Sequence, residues 1–127
     1  MTVLRIVANI AAEAPGETQK FYMDLFDLGV LMDFGWIVTL GSEERATTQI
    51  SLMSEGGSGA PVPEISIEVD DVDAVYDRAR KMGCEIEYDL TDEPWGVRRF
   101  FVADPAGKIL NVLSHRSQSD APNGDAR

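Results

Sequence analysis

Cysteine and histidine are scarce in this chain of 127 residues, which contains only Cys84 and His115. A single cysteine excludes an internal disulfide and any zinc site made of cysteine ligands. No stretch approaches the roughly 20 apolar residues that a membrane-spanning helix needs. The first residues, MTVLRIVANIAAEAPG, lack a basic region followed by a long apolar one, so we expect no secretion signal and a cytoplasmic location.

Basic residues are also few, since 11 lysines and arginines stand against 22 aspartates and glutamates. The net charge of −11 makes nucleic acid and anionic membrane surfaces unfavourable partners, because both require a basic protein face. The acidity has two interpretations: it favours solubility, or it attracts a cationic ligand.

The first half of the chain is predicted to form a strand, a helix and three more strands. Residues 3–10 are apolar and β-prone, which is typical of a strand. From Glu17 onward the spacing is helical, and Gly29 is predicted to end this helix. One apolar face of the helix then carries Phe21, Tyr22, Leu25 and Leu28. The strands that follow are assigned to residues 30–34, 36–40 and 47–53.

A connector rich in glycine, proline and serine, residues 54–63, marks the boundary before a second half with the same order. Residues 65–69 are predicted as a strand, and Asp71 as the N-cap of a helix that Gly83 ends. The apolar face of this helix carries Val72, Val75, Tyr76, Ala79 and Met82. The last predicted elements are a strand at 84–88 and a hairpin of strands 97–103 and 108–114, joined by the tight-turn sequence DPAG.

The two halves predict an α+β protein of two βαβββ modules, one at about residues 3–53 and the other at about residues 64–114. Both modules are assigned to a single domain over residues 1–115, because each unit alone would expose one apolar sheet face. Residues 116–127 lack apolar periodicity and are predicted to form a disordered tail.

Three short segments occur in order on these modules: Phe21-Tyr22 in the first helix, VDDVD at residues 69–73 and FVADPAG at residues 101–107. In this arrangement residues 3–115 resemble the vicinal-oxygen-chelate superfamily of glyoxalase I, bleomycin-resistance proteins and extradiol dioxygenases. The resemblance implies that the modules form a cupped, incompletely closed mixed-sheet barrel, and that the chain is a homodimer. The run DEPWGVRR resembles a subgroup of uncharacterised bacterial members.

Metal-dependent members of that superfamily carry histidine and glutamate ligands, sometimes glutamine, on the inward faces of four strands. By resemblance, the corresponding positions here are residues 6–8, which cannot ligate, then Gln49 or Ser51, Glu64 and Asn111. This set holds one carboxylate and no imidazole, whereas transition metals prefer nitrogen or several carboxylates. We therefore expect no metal cofactor. The alternative is a divalent metal ion held weakly by Gln49, Glu64 and Asn111.

The segment DEPWG, before the last two strands, has two interpretations. Trp95 forms an aromatic wall of a cavity with Glu93 facing a cation, or it covers the edge of the core at a strand entry. Arg98 and Arg99 point to opposite faces of their strand. One of them clamps a carboxylate or phosphate of a ligand, or both form ion pairs with the many acids. Trp36 either lines the cavity or fills the core.

The function that these residues favour is metal-free binding of a small molecule, such as a drug or a metabolite. The expected ligand-binding residues are Trp36, Gln49, Ser51, Glu64, Trp95, Arg99 and Asn111. Glu64 is expected to be the charged anchor. Two alternatives stay open: a metal-dependent lyase, isomerase or dioxygenase of the same superfamily, and an interaction protein with a vestigial cleft. Cys84 is expected to be a small buried residue and His115 a surface histidine.

Overall fold

The structure is a computed structural model that describes residues 1–42 and 48–116. Its elements follow the order βαβββ twice, which confirms the predicted α+β class and the repeated module. The elements are β1 (Val3–Ala11), α1 (Pro15–Phe26), β2 (Gly29–Asp33), β3 (Ile37–Gly41), β4 (Gln49–Met53), β5 (Ile65–Val69), α2 (Val72–Lys81), β6 (Ile86–Asp92), β7 (Val97–Ala103) and β8 (Ile109–His115). No helix in the described ranges is long and apolar enough to cross a membrane.

The chain divides into two compact units, and β1 contributes to both. The N-terminal unit comprises Val7–Glu64, and the C-terminal unit comprises Met1–Ile6 with the chain from Ile65 onward. The predicted loop before β4 and the predicted start of that strand include residues 43–47, which lie outside the described residues. The predicted tail from residue 117 onward lies outside them as well.

Four strands build the sheet of the N-terminal unit in the order β2-β3-β4-β1. β4 runs antiparallel to β3 and parallel to the second half of β1, where Asn9 lies opposite Ser51. Helix α1 packs on one face of this sheet. The buried core residues beneath it are Val38, Leu40 and Leu52.

Helix α1 turns a different face to this core than the sequence predicts. The partly buried positions of the helix are Pro15, Thr18, Gln19, Tyr22 and Met23. They recur at i, i+3, i+4, i+7 and i+8, which is the spacing of one helix face. Phe21 and Leu25 lie off this face and are 56% and 60% exposed. Because polar Thr18 and Gln19 occupy core-facing positions, the apolar residues alone did not mark the buried face.

The end of α1 differs from the prediction as well. The helix ends at Phe26, and Asp27 adopts a left-handed conformation with φ of 60°. This conformation is the usual helix stop, and aspartate tolerates it better than most side chains do. Leu28 therefore lies outside the helix but still packs on the core, and Gly29 begins β2.

Five strands build the sheet of the C-terminal unit in the order β1-β5-β8-β7-β6. β5 runs parallel to β8, and β7 runs antiparallel to both of its neighbours. Helix α2 covers one face of this sheet. The buried core between them consists of Val69, Val72, Ala79, Phe100, Val102 and Val112.

Helix α2 begins and ends close to where the sequence predicts. Asp71 is its N-cap, and a side-chain oxygen of Asp71 accepts a hydrogen bond from the Ala74 N–H at 3.1 Å. Gly83 follows the helix with φ of 76°, a conformation that favours glycine. Met82, which the helical spacing placed on the apolar face, is 71% exposed because it lies beyond the last turn.

The closing hairpin is confirmed, whereas β6 lies later in the chain than predicted. β6 spans Ile86–Asp92 rather than residues 84–88, and Cys84 packs half-buried against the core before it. In the hairpin turn, Asp104 Oδ1 accepts hydrogen bonds from the backbone N–H groups of Ala106 and Lys108, both at 2.9 Å. This side chain replaces backbone partners in the turn and so holds β7 and β8 in register.

Candidate functional site

Strand alternation divides the side chains of the C-terminal sheet between two faces. Phe100 and Val112 belong to the core beneath α2. Because successive strand residues point to opposite sides, their neighbours Arg99 and Asn111 point to the other side. We call this side, which α2 does not cover, the helix-free face of the C-terminal unit.

A buried ion pair lies on the helix-free face. The side chains of Arg99 and Glu93 are only 2% and 3% exposed, and Arg99 Nε donates a hydrogen bond to Glu93 Oε2 at 2.8 Å. The hydroxyl of Tyr88 donates to the same carboxylate oxygen at 2.6 Å. Charges removed from water in this way are tolerated only when they are paired and hydrogen-bonded, as they are here.

Three aromatic rings enclose the guanidinium of Arg99. Its central carbon lies 4.9 Å from the ring centroid of Tyr88, 5.0 Å from that of Trp95 and 4.9 Å from that of Phe101. These distances are within the range of cation–π attraction. The cation that faces Glu93 and Trp95 is thus the chain's own arginine.

The neighbouring residue, Arg98, lies on the opposite face of the same strand, as alternation predicts. Arg98 pairs with Asp73 at 2.9 Å and with Asp92 at 3.1 Å, and its side chain is 34% exposed. Arg98 therefore takes the surface ion-pair role, whereas Arg99 is held inside by Glu93.

The turn between β6 and β7 positions Glu93 and Trp95. The Glu93 N–H donates to the Val97 carbonyl at 2.8 Å, and Gly96 turns the chain with φ of 92°. Arg116, which the sequence assigned to the tail, is bound to this turn. Its backbone N–H donates to the Gly96 carbonyl at 2.9 Å, and its guanidinium donates to the Glu93 carbonyl at 3.0 Å.

A polar pair occupies the middle of the helix-free face. Asn111 lies opposite Ser66 on β5 and Phe101 on β7. Its side-chain amide donates to Ser66 Oγ at 3.0 Å. The residue is 8% exposed, and its Oδ1 accepts no hydrogen bond from any residue in the described parts of the chain. Rotating the amide by 180° exchanges its two polar atoms but still leaves one of them without a protein partner.

The N-terminal unit repeats this polar row at the equivalent position. Ser51 is the third residue of β4, as Asn111 is of β8, and it lies opposite Asn9 and Thr39. Thr39 Oγ1 and Ser51 Oγ are hydrogen-bonded at 2.8 Å, and both residues are buried. The repeat therefore extends from element order to the chemistry of one sheet position, although the two halves share little sequence.

A second charged cluster on the helix-free face joins β1, β5 and β8. Glu68 Oε1 accepts from Arg5 Nε at 2.6 Å, and Glu68 Oε2 lies 2.8 Å from His115 Nδ1. The hydrogen bond with His115 and the charges of His115 and Arg5 outweigh burial and lower the pKa of Glu68 from 4.5 to about 2. His115 is thus bonded to the carboxylate of the Arg5–Glu68 ion pair, and its side chain is 22% exposed.

Lowering the pH is expected to remove the contribution of Glu68 to stability. Because its pKa falls from 4.5 to about 2 on folding, the ionised carboxylate stabilises the fold fully above pH 4.5, and this contribution is lost as the pH falls towards 2. We expect the free energy of unfolding of wild type to be about 2 kcal/mol higher than that of Glu68→Gln near neutral pH. Below the pKa of Glu68 in the folded protein, we expect the two free energies to be almost equal. Urea unfolding of both proteins across this window measures the difference, and a difference independent of pH would contradict the assignment.

The seven residues predicted to bind ligand are divided between the two units. Trp95, Arg99 and Asn111 lie in the C-terminal unit, and Trp36, Gln49, Ser51 and Glu64 lie in the N-terminal unit. Trp36 is in the turn before β3, where its carbonyl accepts from the Ser54 N–H at 2.9 Å. Gln49 begins β4 opposite Gly41, and Glu64 is exposed directly before β5.

Sequence reasoning missed three residues of the helix-free face: Ser66, Glu68 and Tyr88. The sequence of β5, ISIEV, could have identified Ser66 and Glu68, because they alternate with residues of the core. A strand with two polar residues on one face indicates a face that α2 does not cover. Tyr88 had no such signal, since irregular pairing between β6 and β7 on either side of it disrupts the alternation.

The residues at the implied metal-ligand positions do not fit a transition-metal centre. They supply one carboxylate, Glu64, and the hydroxyl of Ser51 is already bonded to Thr39. Asn111 offers an amide, and amides are weaker ligands than imidazole or carboxylate groups. Within residues 1–42 and 48–116, no three histidine, cysteine, aspartate or glutamate side chains are grouped so that they hold a metal ion.

Comparison with known proteins identifies the family. The chain belongs to the Glyoxalase/Bleomycin resistance protein/Dioxygenase superfamily, whose family model matches residues 5–112. None of the curated proteins matches the chain.

Several solved structures share the fold. A glyoxalase/bleomycin resistance protein/dioxygenase superfamily member from Vibrio splendidus 12B01 is 18% identical, with a TM-score of 0.66 over 90% of this chain and 99% of that one. A structure described as an NAD-dependent benzaldehyde dehydrogenase from Legionella pneumophila is 14% identical, with a TM-score of 0.71 over 87% and 99% of the two chains. Methylmalonyl-CoA epimerase from Mycobacterium tuberculosis is 16% identical, with a TM-score of 0.61 over 89% and 87%. At these identities the likeness concerns the fold alone.

Proposed function

We propose that this protein binds a small molecule, a drug or a metabolite, without a metal ion. The ligand lies on the helix-free face of the C-terminal unit, where Asn111, Trp95 and the Arg99–Glu93 ion pair are located. Binding is the whole activity, with no covalent step. The contacts predicted for Trp36, Gln49, Ser51 and Glu64 remain part of this proposal as predictions.

The observation that carries the proposal is the amide of Asn111. A buried polar atom without a partner is costly, by roughly 1–3 kcal/mol, and native structures satisfy nearly all such atoms. The Oδ1 atom accepts nothing from the described chain while the other end of the amide is bonded to Ser66. A ligand with an N–H or O–H group aimed at Oδ1 would satisfy it.

The surroundings of Asn111 favour a ligand with an apolar body. Its neighbours on the helix-free face are Phe101 across the strand pair and Leu113 two residues along β8, and both are buried. Ligand sites in proteins commonly combine an apolar lining with a few polar groups that fix orientation. Asn111 and Ser66 supply those polar groups here.

Charge favours a neutral or cationic ligand over an anionic one. The buried Arg99 is neutralised by Glu93, so this guanidinium offers little attraction to a carboxylate or phosphate. The chain as a whole carries a net charge of −11, which repels anions at a distance.

Replacing Asn111 by leucine tests the proposal, because it removes the amide and keeps the branched shape and the number of heavy atoms of the side chain. A drug and metabolite library is screened for compounds that raise the melting temperature of wild type in the presence of a chelator. For each compound that does, Asn111→Leu is expected to weaken binding by about tenfold or more, as measured by calorimetry. Glu87→Gln, an exposed change on β6, serves as the control that leaves affinity unchanged.

Two results of this experiment would count against the proposal. Affinity unchanged in Asn111→Leu would mean that the ligand does not use the helix-free face as described. In a parallel melting experiment without the chelator, stabilisation by divalent metal alone that is lost in Glu64→Ala would instead favour the metal-dependent lyase, isomerase or dioxygenase.

We propose in addition that the protein is a cytoplasmic homodimer. Members of the superfamily commonly dimerise, which supports the oligomeric state. A single cysteine, without a disulfide partner in the chain, suits a reducing compartment.

A further inference from the structure

Helix α1 presents bulky apolar side chains to solvent, although polar residues occupy part of its core-facing side. Phe21, Leu25 and Phe26 are 56%, 60% and 57% exposed. The ring of Tyr22 joins the two phenylalanines, since its centroid lies 5.2 Å from that of Phe21 and 6.0 Å from that of Phe26. We call the continuous surface of Phe21, Tyr22, Leu25 and Phe26 the α1 patch.

The α1 patch is large enough to form the centre of an interface. Its three most exposed side chains present roughly 300 Å² of apolar surface, because an aromatic side chain alone carries about 150–250 Å². Apolar patches of this size commonly mark interaction sites on protein surfaces. A stable dimer buries about 800 Å² on each partner, with an apolar centre and a polar rim.

The surface of α1 is self-complementary. Three pairs of residues, each separated by one helical turn, lie on neighbouring strips of the helix: Lys20 with Asp24, Phe21 with Leu25, and Tyr22 with Phe26. When two copies of a helix run antiparallel about a two-fold axis, each strip meets its own counterpart in reverse order. An axis near the level of Met23 therefore sets the first member of every pair close to the second member in the other copy.

The charges on α1 favour a second copy over a partner of uniform charge. Lys20 is the only basic residue of the helix, and it pairs with Asp24 at 2.6 Å while both side chains stay exposed, at 77% and 65%. In the antiparallel arrangement, Lys20 of one copy also lies beside Asp24 of the other, on both sides of the axis. A basic partner would instead face Lys20, and an acidic partner would face Asp24 and Glu17.

Parts of the same chain outside the described residues do not suit the α1 patch. Residues 43–47 and 117–127 contain no apolar side chain larger than proline, so neither segment supplies an apolar cover. This leaves another molecule as the occupant, and the self-complementary strips select a second copy.

We propose that α1 forms the interface of a homodimer, in which the α1 patches of two copies pack antiparallel between ion pairs of Lys20 and Asp24. The inference rests on the homodimer proposed above and names the surface that forms it. It also explains why α1 carries phenylalanine and leucine away from its own core, since the dimer buries these side chains.

Sedimentation velocity over a range of protein concentrations is the first test. Wild type is expected to dimerise, and the double variant Phe21→Gln, Leu25→Gln is expected to weaken association by about tenfold or more. Met82→Gln is the matched control, because Met82 is 71% exposed in the C-terminal unit and its loss should leave association unchanged. Circular dichroism melting establishes that each variant is folded.

Leu25→Ala is also expected to weaken the dimer, because it removes part of the α1 patch. Unfolding in urea at protein concentrations below the dissociation constant excludes this effect, since the protein is then monomeric and stability no longer depends on association. Measured in this way, unfolding reports on the packing of α1 within one chain.

The second test exchanges the charges of α1 between two variants. Lys20→Glu and Asp24→Lys are each expected to weaken the dimer, because like charges then meet across the axis. An equimolar mixture of the two, with one variant carrying a fluorophore, is expected to associate about threefold or more tightly than either variant alone. The ion pair within each chain is broken in both variants and stays broken in the mixture, so the recovery reports contact between copies.

The outcomes separate this inference from the proposals on which it rests. A wild-type dimer that the double variant retains, or a mixture that associates no more tightly than its components, overturns the α1 interface and leaves the homodimer standing. A wild type that is monomeric at every concentration contradicts both, and the α1 patch then belongs to a different partner. The library screen with Asn111→Leu decides small-molecule binding independently of either result.

Discussion

Replacing Glu93 by glutamine is expected to lower the free energy of unfolding by about 3 kcal/mol. The change keeps the shape of the side chain but removes the negative charge that faces Arg99. Both side chains are almost fully buried, at 3% and 2% exposure, so water cannot replace the lost partner. The rings of Tyr88, Trp95 and Phe101 supply only part of the missing attraction, because a cation–π contact is weaker than a buried ion pair.

The chain contains a matched control for this substitution one residue earlier. Asp92 pairs with Arg98 at 3.1 Å, but the two side chains are 50% and 34% exposed. Asp92→Asn is therefore expected to cost less than about 1 kcal/mol, because exposed ion pairs contribute little. Urea unfolding of both variants at neutral pH and moderate salt makes the comparison.

Removing the second charge of the buried pair is expected to restore stability. In the double variant Glu93→Gln, Arg99→Met, no unpaired charge remains inside, so more than half of the loss should be recovered. Equal losses in Glu93→Gln and Asp92→Asn, or no recovery in the double variant, would show that Arg99 and Glu93 are not a desolvated ion pair.

Truncating Leu52 to alanine is expected to destabilise the protein by about 3 kcal/mol. Leu52 is fully buried, lying between Val38 on β3 and Ile10 on β1 beneath α1. Deleting its branched end leaves a cavity in a close-packed core, and the loss includes both transfer free energy and the contacts around the cavity.

Leu25→Ala is the matched control, because it makes the same chemical change in the same unit. Leu25 is 60% exposed on α1, and alanine is at least as good a helix former, so the expected change is below about 0.5 kcal/mol. Urea midpoints of the two variants against wild type measure the difference. A loss in Leu25→Ala as large as that in Leu52→Ala would restore the helix face that the apolar pattern predicts and would contradict the packing of α1.

The two helices differ in how well their sequences mark the buried face. In α2, apolar residues recur at helical spacing, Asp71 caps the start and Gly83 follows the end, so pattern and local signals agree. In α1, polar Thr18 and Gln19 sit on the buried face while Phe21 lies outside it. A pattern of apolar residues identifies the buried face of a helix only when that face carries the apolar residues. In α1, polar residues occupy part of the buried face, so the pattern misplaces it.

For Arg98 and Arg99 on β7, the sequence likewise predicts one feature of the site and leaves another undetermined. Alternation along a strand predicts that Arg98 and Arg99 point to opposite faces, and this prediction is confirmed. Which of the two arginines is buried depends on the acidic residues that the tertiary structure brings to each face of the strand. Helix α2 brings Asp73 to Arg98, and the turn after β6 brings Glu93 to Arg99.

The sequence by itself determined the order of elements, the repeated module, the closing hairpin and the family, because these depend on periodicity, turn residues and short segments close together in the chain. Only the tertiary structure decided the site. Glu68 and His115 are 47 residues apart, and Asn111 and Ser66 are 45 apart. The parallel register of β5 and β8 makes them neighbours. Pairing between strands so far apart in the chain depends on burying one face of the whole sheet, which no local segment of sequence encodes.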